Sequence, residues 1–260
     1  MPGAGLTEVS GINAKGDMVG FYGATSSDPH QHGFLLKRGR FIHVDYPHAY
    51  ATLPLGVNDA GLIVGTAELR GGLAAMGFTY DGKKFTNFHD GDGGSTIAYR
   101  MNNSGEIVGG AGSLYTTAGF EETNRIFTPI NFPGNNAYAW ASGINNLGQI
   151  VGFTINGLYS DCYSYINGQF QNLDVPGSTQ TSGFSINDKG IVVGYYFLDP
   201  SYYGFALLGR QYDSFSYPGA VGGTYAHGIN ISGQVVGQYS MDGETYHGFL
   251  TSPITCADFQ

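Results

Sequence analysis

Residues 11–20 read GINAKGDMVG, and variants of this stretch return five more times along the 260-residue chain. The other copies begin at Gly56, Arg100, Gly143, Ser185 and Gly228. From one copy to the next, the asparagine at the third position recurs after 45, 44, 43, 42 and 43 residues. Six such periods account for the whole sequence, which predicts a single repeat domain with no room for a second one.

Each period predicts four short antiparallel strands. The first strand ends at the asparagine of an Asn-x-x-Gly turn, as at Asn13, because Asn is favoured at the start of a type I turn and Gly tolerates positive φ. Met18 to Tyr22 then form a second strand, and His32 to Leu36 form a third after a longer loop. A glycine turn leads into a fourth strand, such as Phe41 to Tyr46.

The composition agrees with an all-β chain. Glycine makes up 43 residues and costs about 1 kcal/mol per residue inside a helix. Aromatic residues make up 14%, which supplies enough apolar surface to order the chain.

A period of 40 to 45 residues with four strands is typical of a β-propeller blade. The sequence therefore predicts a six-bladed β-propeller of four-stranded antiparallel blades in a single domain. The blades are expected at about residues 1–47, 48–91, 92–134, 135–177, 178–219 and 220–260. Either the degenerate strand Ile254 to Phe259 completes the last blade, or a segment upstream of Pro2 does.

Charge excludes several classes of partner. The net charge is −9, the sequence pI is about 5.0 and no run of Lys or Arg exceeds two residues, so neither nucleic acid nor an anionic membrane is expected as a partner. No apolar run is long enough to span a membrane as a helix. We expect a monomer without a cofactor. The first residues show no signal peptide, although an earlier one could have been cleaved.

The two cysteines, Cys162 and Cys256, fall in blades that are two apart. They are therefore predicted to be free thiols, and they do not indicate a redox compartment.

The motif Gly-Ile-Asn-x-x-Gly-x-Ile-Val-Gly, followed by His-Gly-Phe-Leu, resembles the probable extracellular repeats of bacteria called the HAF family, after a His-Ala-Phe tripeptide. The resemblance covers all six copies and implies an extracellular or periplasmic location and a propeller-like fold, with no activity attached. His32 and His247 keep the histidine. The other copies replace it with Met76, Ala118, Asp161 and Tyr203.

Ligand contacts are expected on the face that carries the longer loops, since rigid scaffolds usually display binding residues on loops. These loops contain His48, Tyr50, Asp90, Asp92, Tyr138, Gln180, Asp28, His30, Glu68, Arg70, Tyr115, Tyr159, Asp199, Tyr202, Asp242 and Glu244. Tyrosines with scattered acids suit sugar rings. The alternative is that tyrosine is simply common in β-rich proteins.

The innermost strands point the same way. Alternate positions stay small in all copies, whereas the intervening positions diverge, as a ligand without six-fold symmetry would require. The predicted ligand-binding residues are Arg100, Trp140, Tyr99, Tyr138, Tyr225, His227, Glu8, His48 and Tyr50. Arg100 stands where every other copy has Gly or Ser, although it could instead pair with an acid, and Trp140 could belong to the core. Replacing Arg100, Trp140 or His227 by Ala is predicted to leave folding intact and abolish binding.

Metal and catalytic chemistry are weaker hypotheses. His30 and His32 could share one side of a strand and meet His247, His227 and His48 where the ring closes, but His32 and His247 also belong to the repeat consensus. Residues 90–94 lack most ligands of a calcium loop. The chain has no nucleophile elbow and no phosphate-binding loop. If the protein is an enzyme, the predicted catalytic residues are His227, Arg100, Tyr99 and Glu8.

The sequence thus favours a secreted propeller that recognises a saccharide or small molecule in its axial funnel. A glycan hydrolase or lyase that uses the same funnel residues is one alternative. A scaffold for a protein partner is another.

Overall fold

A computed structural model describes residues 3–69, 74–90, 94–112, 117–133 and 138–259, apart from the side chain of Cys256. Within these ranges the chain forms 23 β-strands and one short 3₁₀ helix. The prediction of an all-β chain is confirmed.

The strands follow one another in six groups. The first three groups are β1 (Leu6–Ile12), β2 (Met18–Gly23), β3 (His32–Lys37), β4 (Arg40–His43); β5 (Ala49–Val57), β6 (Ile63–Leu69), β7 (Ala75–Tyr80), β8 (Phe85–Phe88); and β9 (Ser95–Met101), β10 (Ile107–Gly112), β11 (Thr117–Thr123), β12 (Ile126–Ile130). The last three are β13 (Tyr138–Ile144), β14 (Ile150–Asn156), β15 (Tyr159–Ile166), β16 (Gln169–Asn172); β17 (Gln180–Ile186), β18 (Val192–Leu198), β19 (Ser201–Leu208), β20 (Gln211–Phe215); and β21 (Thr224–Ile229), β22 (Val235–Ser240), β23 (Tyr246–Leu250).

Within each group, consecutive strands pair antiparallel. Single parallel bridges, such as Leu6 with Tyr246, join some neighbouring groups, so that the strands form sheets of seven, twelve and four strands. The first strands of the groups contact one another in sequence, from β1 through β5, β9, β13 and β17 to β21, and β21 contacts β1. The first strands therefore surround a common axis.

The sixth group differs from the prediction. Residues 254–259 form no strand, and the 3₁₀ helix Cys256–Phe259 occupies this stretch. The side chain of Asp258 accepts hydrogen bonds from the Thr255 amide and hydroxyl, which favours a turn over an extended strand. Phe259 is buried between the fifth and sixth groups, beside Ile191 and Ala226. Among the described residues, no fourth strand therefore pairs with β23.

The Asn-x-x-Gly turns are confirmed in all six copies. The glycine amide donates to the asparagine carbonyl at 2.9–3.2 Å, and each glycine has positive φ, as at Gly16 and Gly61. The asparagine Oδ1 accepts backbone amides further along the turn; in the first copy these belong to Lys15 and Asp17. The side chain thus holds the turn from within.

The six asparagines also connect the groups in a closed ring. Each Nδ2 donates to the backbone carbonyl of the asparagine in the next copy, at 3.0–3.4 Å, in the order Asn13, Asn58, Asn102, Asn145, Asn187, Asn230 and back to Asn13. All six side chains are buried. We call this feature the asparagine ring. It fixes one end of the axis identically in every copy.

The core lies between neighbouring groups. Each of the first five third strands buries one ring there, and these are Phe34, Phe78, Phe120, Tyr163 and Phe205. The glycine of the Val-Gly pair, which recurs in all six copies, makes room for this ring: a Cβ on Gly152 would lie 2.0 Å from the Trp140 carbonyl oxygen and 2.6 Å from Tyr163 Oη. Glycine is thus required by close backbone packing at this position.

Candidate ligand-binding site

Arg100 lies near the axis at the end of β9, two residues before Asn102, so it sits next to the asparagine ring along the first strands. Its Nη1 donates to the carbonyls of Leu55 and Tyr99, and its Nη2 donates to those of Ser10 and His227. These four acceptors belong to the first strands of four different groups, β5, β9, β1 and β21. The guanidinium therefore bridges the ring of strands across its centre.

The small residues in the other copies explain why one long side chain fits there. A Cβ on Gly56 would lie 3.0 Å from the Tyr99 carbonyl oxygen and 3.3 Å from Arg100 Cα, so the first strands almost touch at this level. Arg100 is buried, and burial lowers its pKa to about 10. Replacing Arg100 leaves four backbone carbonyls without this donor, so the contacts in the structure favour a loss of stability on replacement, contrary to the expectation from the sequence.

Glu8, Tyr99 and His227 lie beside Arg100, and we call these four residues the funnel floor. Burial raises the pKa of Tyr99 to about 12 and lowers the pKa of His227. The Nε2 atom of His227 is buried without a hydrogen-bond partner in the described structure and lies 4.0 Å from Glu8 Oε2. Ser10 Oγ donates to the other Glu8 oxygen at 3.0 Å. A neutral imidazole thus faces a carboxylate across a narrow gap.

Aromatic rings continue from the funnel floor along one side of the axis. Neighbouring ring centroids lie 4.9–5.7 Å apart, in the order Tyr138, Trp140, Phe153, Phe184, Tyr195 and Tyr225. Phe184 also meets His227 edge to face at 5.1 Å. We call this row the aromatic arc. It belongs to the fourth, fifth and sixth groups. The matching positions of the first three groups include the aliphatic residues Leu53, Leu55 and Ile97 together with Phe21 and Tyr99.

The arc borders a cavity of about 350 Å³, which we call the aromatic pocket. Its walls are formed by Phe153, Ile155, Gly157, Leu158, Tyr159, Ser160, Gln180, Ser182, Tyr195, Tyr202 and Tyr225. None of these side chains carries a formal charge at neutral pH. The volume lies within the range of small-molecule sites.

Polar groups in the pocket are already oriented by hydrogen bonds. Tyr202 Oη donates to Gln180 Oε1 at 2.8 Å, and Gln180 Nε2 donates to the Leu158 carbonyl at 2.9 Å. The hydroxyls of Ser160 and Ser182 lie 3.2 Å apart. At the rim, 62% of Tyr159 is exposed, so its ring is available to a ligand. The pocket therefore combines ring faces with hydroxyl and amide groups, and no charged side chain lines it.

The predicted ligand-binding residues fall into two sets. Seven of them, Glu8, Tyr99, Arg100, Tyr138, Trp140, Tyr225 and His227, belong to the funnel floor or the aromatic arc. His48 is exposed, and Tyr50 packs against the His30 ring at 4.2 Å. The structure does not place these two in the floor or the arc. Arg70, Asp92 and Tyr115 lie outside the described residues.

The histidines proposed as metal ligands have other neighbours. His30 Nδ1 lies 3.4 Å from Asp28, His32 Nδ1 lies 3.2 Å from Asp45, and His247 packs against Tyr239. In the described part of the chain, no group of three or more His, Cys, Asp or Glu is placed to hold a metal. Cys162 is a buried free thiol, and burial raises its pKa.

The sequence reasoning missed Phe153 and Tyr195 on the second strands. They follow the Val-Gly glycine, where the six copies have Phe21, Thr66, Gly110, Phe153, Tyr195 and Gln238. Each of these residues pairs directly with a divergent first-strand position; Trp140 opposes Phe153 and Ser182 opposes Tyr195. Their own divergence was the signal that could have found them.

The fold is shared with known β-propellers. The chain is similar to the β-propeller domain of the Trilobed protease from Pyrococcus furiosus, with 12% identity over 95% of this chain and 78% of that one, and a TM-score of 0.58. It is also similar to the SapL1 lectin in complex with alpha methyl fucoside, with 10% identity over 96% of both chains and a TM-score of 0.62. A gluconolactonase from Xanthomonas campestris matches at 9% identity over 94% of this chain and 86% of that one, with a TM-score of 0.55.

At these identities the likenesses show the fold alone, and that fold is a β-propeller. No protein-family model matches the sequence, and no curated protein matches it either. None of the described segments is a helix long and apolar enough to cross a membrane.

Proposed function

We propose that this chain is a six-bladed propeller that binds a neutral saccharide at the funnel end of its axis. The single observation that carries the proposal is the aromatic pocket, where the rings of Phe153, Tyr159, Tyr195, Tyr202 and Tyr225 surround oriented hydroxyl and amide groups. Ring faces stack on the apolar faces of sugars, while hydroxyls and amides bond sugar hydroxyls. The charge-free walls favour a neutral sugar over a uronate or an amino sugar.

Two further observations support this location. The propeller neighbours include a lectin whose structure contains alpha methyl fucoside. In addition, Gln238 Oε1, opposite Tyr225 across the β21–β22 pair, is buried without a hydrogen-bond partner among the described residues, like His227 Nε2. Buried polar atoms usually find a partner, so two such atoms in the last group are consistent with a polar ligand.

The remaining features belong to the same proposal. Each group is taken as one blade, within the boundaries predicted from the repeat, in one domain. An extracellular or periplasmic location is proposed from the likeness to HAF repeats and can be checked by cell fractionation. A monomeric state is proposed separately and can be checked by light scattering.

The test is calorimetric titration of the purified chain with a panel of neutral monosaccharides and disaccharides. Tyr159→Ala is expected to weaken binding about fivefold, because an exposed stacking ring contributes roughly 1 kcal/mol. Tyr217→Ala is the matched control, since this tyrosine is also partly exposed but stacks on Tyr239 outside the pocket. Equal affinity of the wild type and Tyr159→Ala for every bound sugar would exclude the aromatic pocket as the site.

An enzyme at the funnel floor is the second candidate, favoured by the gap between His227 Nε2 and Glu8 Oε2. The lowered pKa of His227 keeps the imidazole neutral near pH 7, as a general base requires. Release of product from a glycan or lactone, lost in His227→Gln while binding persists, would establish this activity. Binding without turnover across the panel would leave the lectin-like function.

A further inference from the structure

The outer edge of β23 differs from the third strand of every other group. In each of the first five groups, a fourth strand pairs with the outer edge of the third strand; for example, Leu36 pairs with Phe41 and Leu207 pairs with Tyr212. Among the described residues, no strand pairs with β23 there.

The five fourth strands, two of them together with the residue that directly follows, share a pattern that shows what the edge of β23 lacks. An aromatic residue is followed three positions later by an apolar one: Phe41 and Val44, Phe85 and Phe88, Phe127 and Ile130, Phe170 and Leu173, Tyr212 and Phe215. Where both members are assigned to a core cluster, the first packs between its own group and the preceding one, and the second packs between its own group and the following one. Each fourth strand thus seals two spaces at once.

Both spaces beside β23 are incompletely filled. A cavity of about 360 Å³ lies toward the fifth group, lined by Phe215, Tyr217, Phe249 and Ile254 among others. A second cavity, of about 420 Å³, lies toward the first group, lined by Val9, Phe34, Phe41 and Phe249 among others. Their positions match the two spaces into which an aromatic residue and an apolar residue of a fourth strand would point.

The surrounding side chains show the same deficit. Phe249 is only partly buried, whereas its five counterparts on the other third strands are buried. Phe41 is 44% exposed, although the first aromatic of each other fourth strand is at least partly buried. Leu250 on the edge itself is 47% exposed.

The backbone of this edge is suited to strand addition. The Thr251 amide donates to the Val235 carbonyl at 2.9 Å, on the inner side of the strand. Because successive amides of a strand point to opposite sides, the Leu250 amide points to the outer edge. An added strand would therefore find backbone groups as well as two side-chain cavities.

We propose that the outer edge of β23 binds an extended segment of another polypeptide that has an aromatic residue and, three residues later, an apolar residue. The segment adds as an antiparallel fourth strand. Its aromatic ring enters the cavity beside Phe215, and its apolar side chain enters the cavity beside Phe41. Among the side chains that line the two cavities, only Asp213 and His247 are acidic or basic. Uncharged residues of the added strand therefore suit these cavities.

A labelled synthetic peptide copying residues 209–217, which contain Tyr212 and Phe215, serves as the probe. Fluorescence polarisation with the intact protein is expected to show binding at least tenfold tighter than that of the same peptide carrying Tyr212→Ser and Phe215→Ser. Equal binding of the two peptides would overturn the proposal.

Leu250→Pro removes the outer amide and is expected to reduce binding at least tenfold; undiminished binding in the folded variant would also overturn the proposal. Hydrogen exchange on the wild type gives a readout that does not depend on the folding of this variant, with added protection expected at residues 248–252 when the peptide binds. No added protection there would place the peptide elsewhere. Light scattering of the protein alone tests whether a second copy of this chain occupies the edge. A dimer that Leu250→Pro dissociates would assign the edge to that second copy and overturn the proposal.

Discussion

The asparagine ring at one end of the axis and the funnel beside it are built on opposite rules. At one end, the asparagine ring repeats the same hydrogen bond six times, from Asn13 round to Asn230. It encloses a cavity of about 250 Å³ lined by these asparagines and their neighbours. Further along the first strands, the funnel floor and the aromatic arc use side chains that differ from group to group. Uniform positions serve the fold, whereas divergent positions are free to serve a ligand.

The largest effect is expected from breaking the uniform end. Asn145→Ala removes the donor to the Asn187 carbonyl and the acceptor of the Leu147 and Gln149 amides. With each buried hydrogen bond contributing about 1 kcal/mol, the free energy of unfolding should fall by about 3 kcal/mol, as measured by urea denaturation. The exposed neighbour Asn146→Ala is the control and should cost about 1 kcal/mol or less. Equal losses of unfolding free energy in the two variants would show that an asparagine of the ring stabilises the fold no more than an exposed asparagine does.

Arg100 tests whether the funnel floor is also part of the fold. Arg100→Met fills similar space but leaves the carbonyls of Ser10, Leu55, Tyr99 and His227 without this donor. The gain from removing a buried charge offsets part of the loss, so we expect a decrease of about 2 kcal/mol in the free energy of unfolding. Calorimetric unfolding measures it. Wild-type stability in this variant would mean that Arg100 does not stabilise the fold and would leave ligand binding as its proposed role.

His227 is expected to make the stability of the protein depend on pH. Its pKa is lowered in the folded state, so the unfolded chain binds the proton more readily, and stability is lost as the pH falls through the unfolded value of about 6.5. The slope cannot exceed about 1.4 kcal/mol per pH unit for one group. His227→Gln should flatten the change in unfolding free energy between pH 7.5 and 5.5. The same slope in both proteins would assign it to other groups.

The smallest effect concerns the aromatic arc. Trp140 is the only tryptophan, and a Cβ on Gly110 would lie 2.4 Å from its Cδ1 atom. Gly110→Ala should therefore move the indole, shift its fluorescence emission and cost about 1 kcal/mol. Gly82→Ala is unsuitable as a control because of its positive φ. Ala111→Gly in the same strand is the control, because it changes the backbone and removes a core methyl group without adding an atom beside the indole. An unchanged spectrum in Gly110→Ala would mean that the indole does not depend on this contact.

Much of the fold could be predicted because its causes are local. An Asn at the start and a Gly at the end of each turn need only their own backbone geometry, so six copies of one motif placed six turns correctly. The 3₁₀ helix that stands in place of a strand at residues 254–259 could not be predicted, because Thr255 and Asp258 favour a turn there and the other copies have no matching residues that report this preference. For the site, divergence of the first strands pointed to the funnel, but Phe153 and Tyr195 emerged only when the strand pairing was known.

The sequence by itself determined the repeat, the all-β class, the turns and which positions vary between copies, because these depend on residues close together in the chain. The tertiary structure decided what the variable residues touch. Arg100 donates to four carbonyls of residues that are 1 to 127 positions away in the chain. Tyr225 of the sixth group contacts Tyr195 of the fifth group. Such contacts exist only once the first strands surround the axis, so no local pattern encodes them. For the same reason, the open edge of β23 became visible only beside the five edges that are filled.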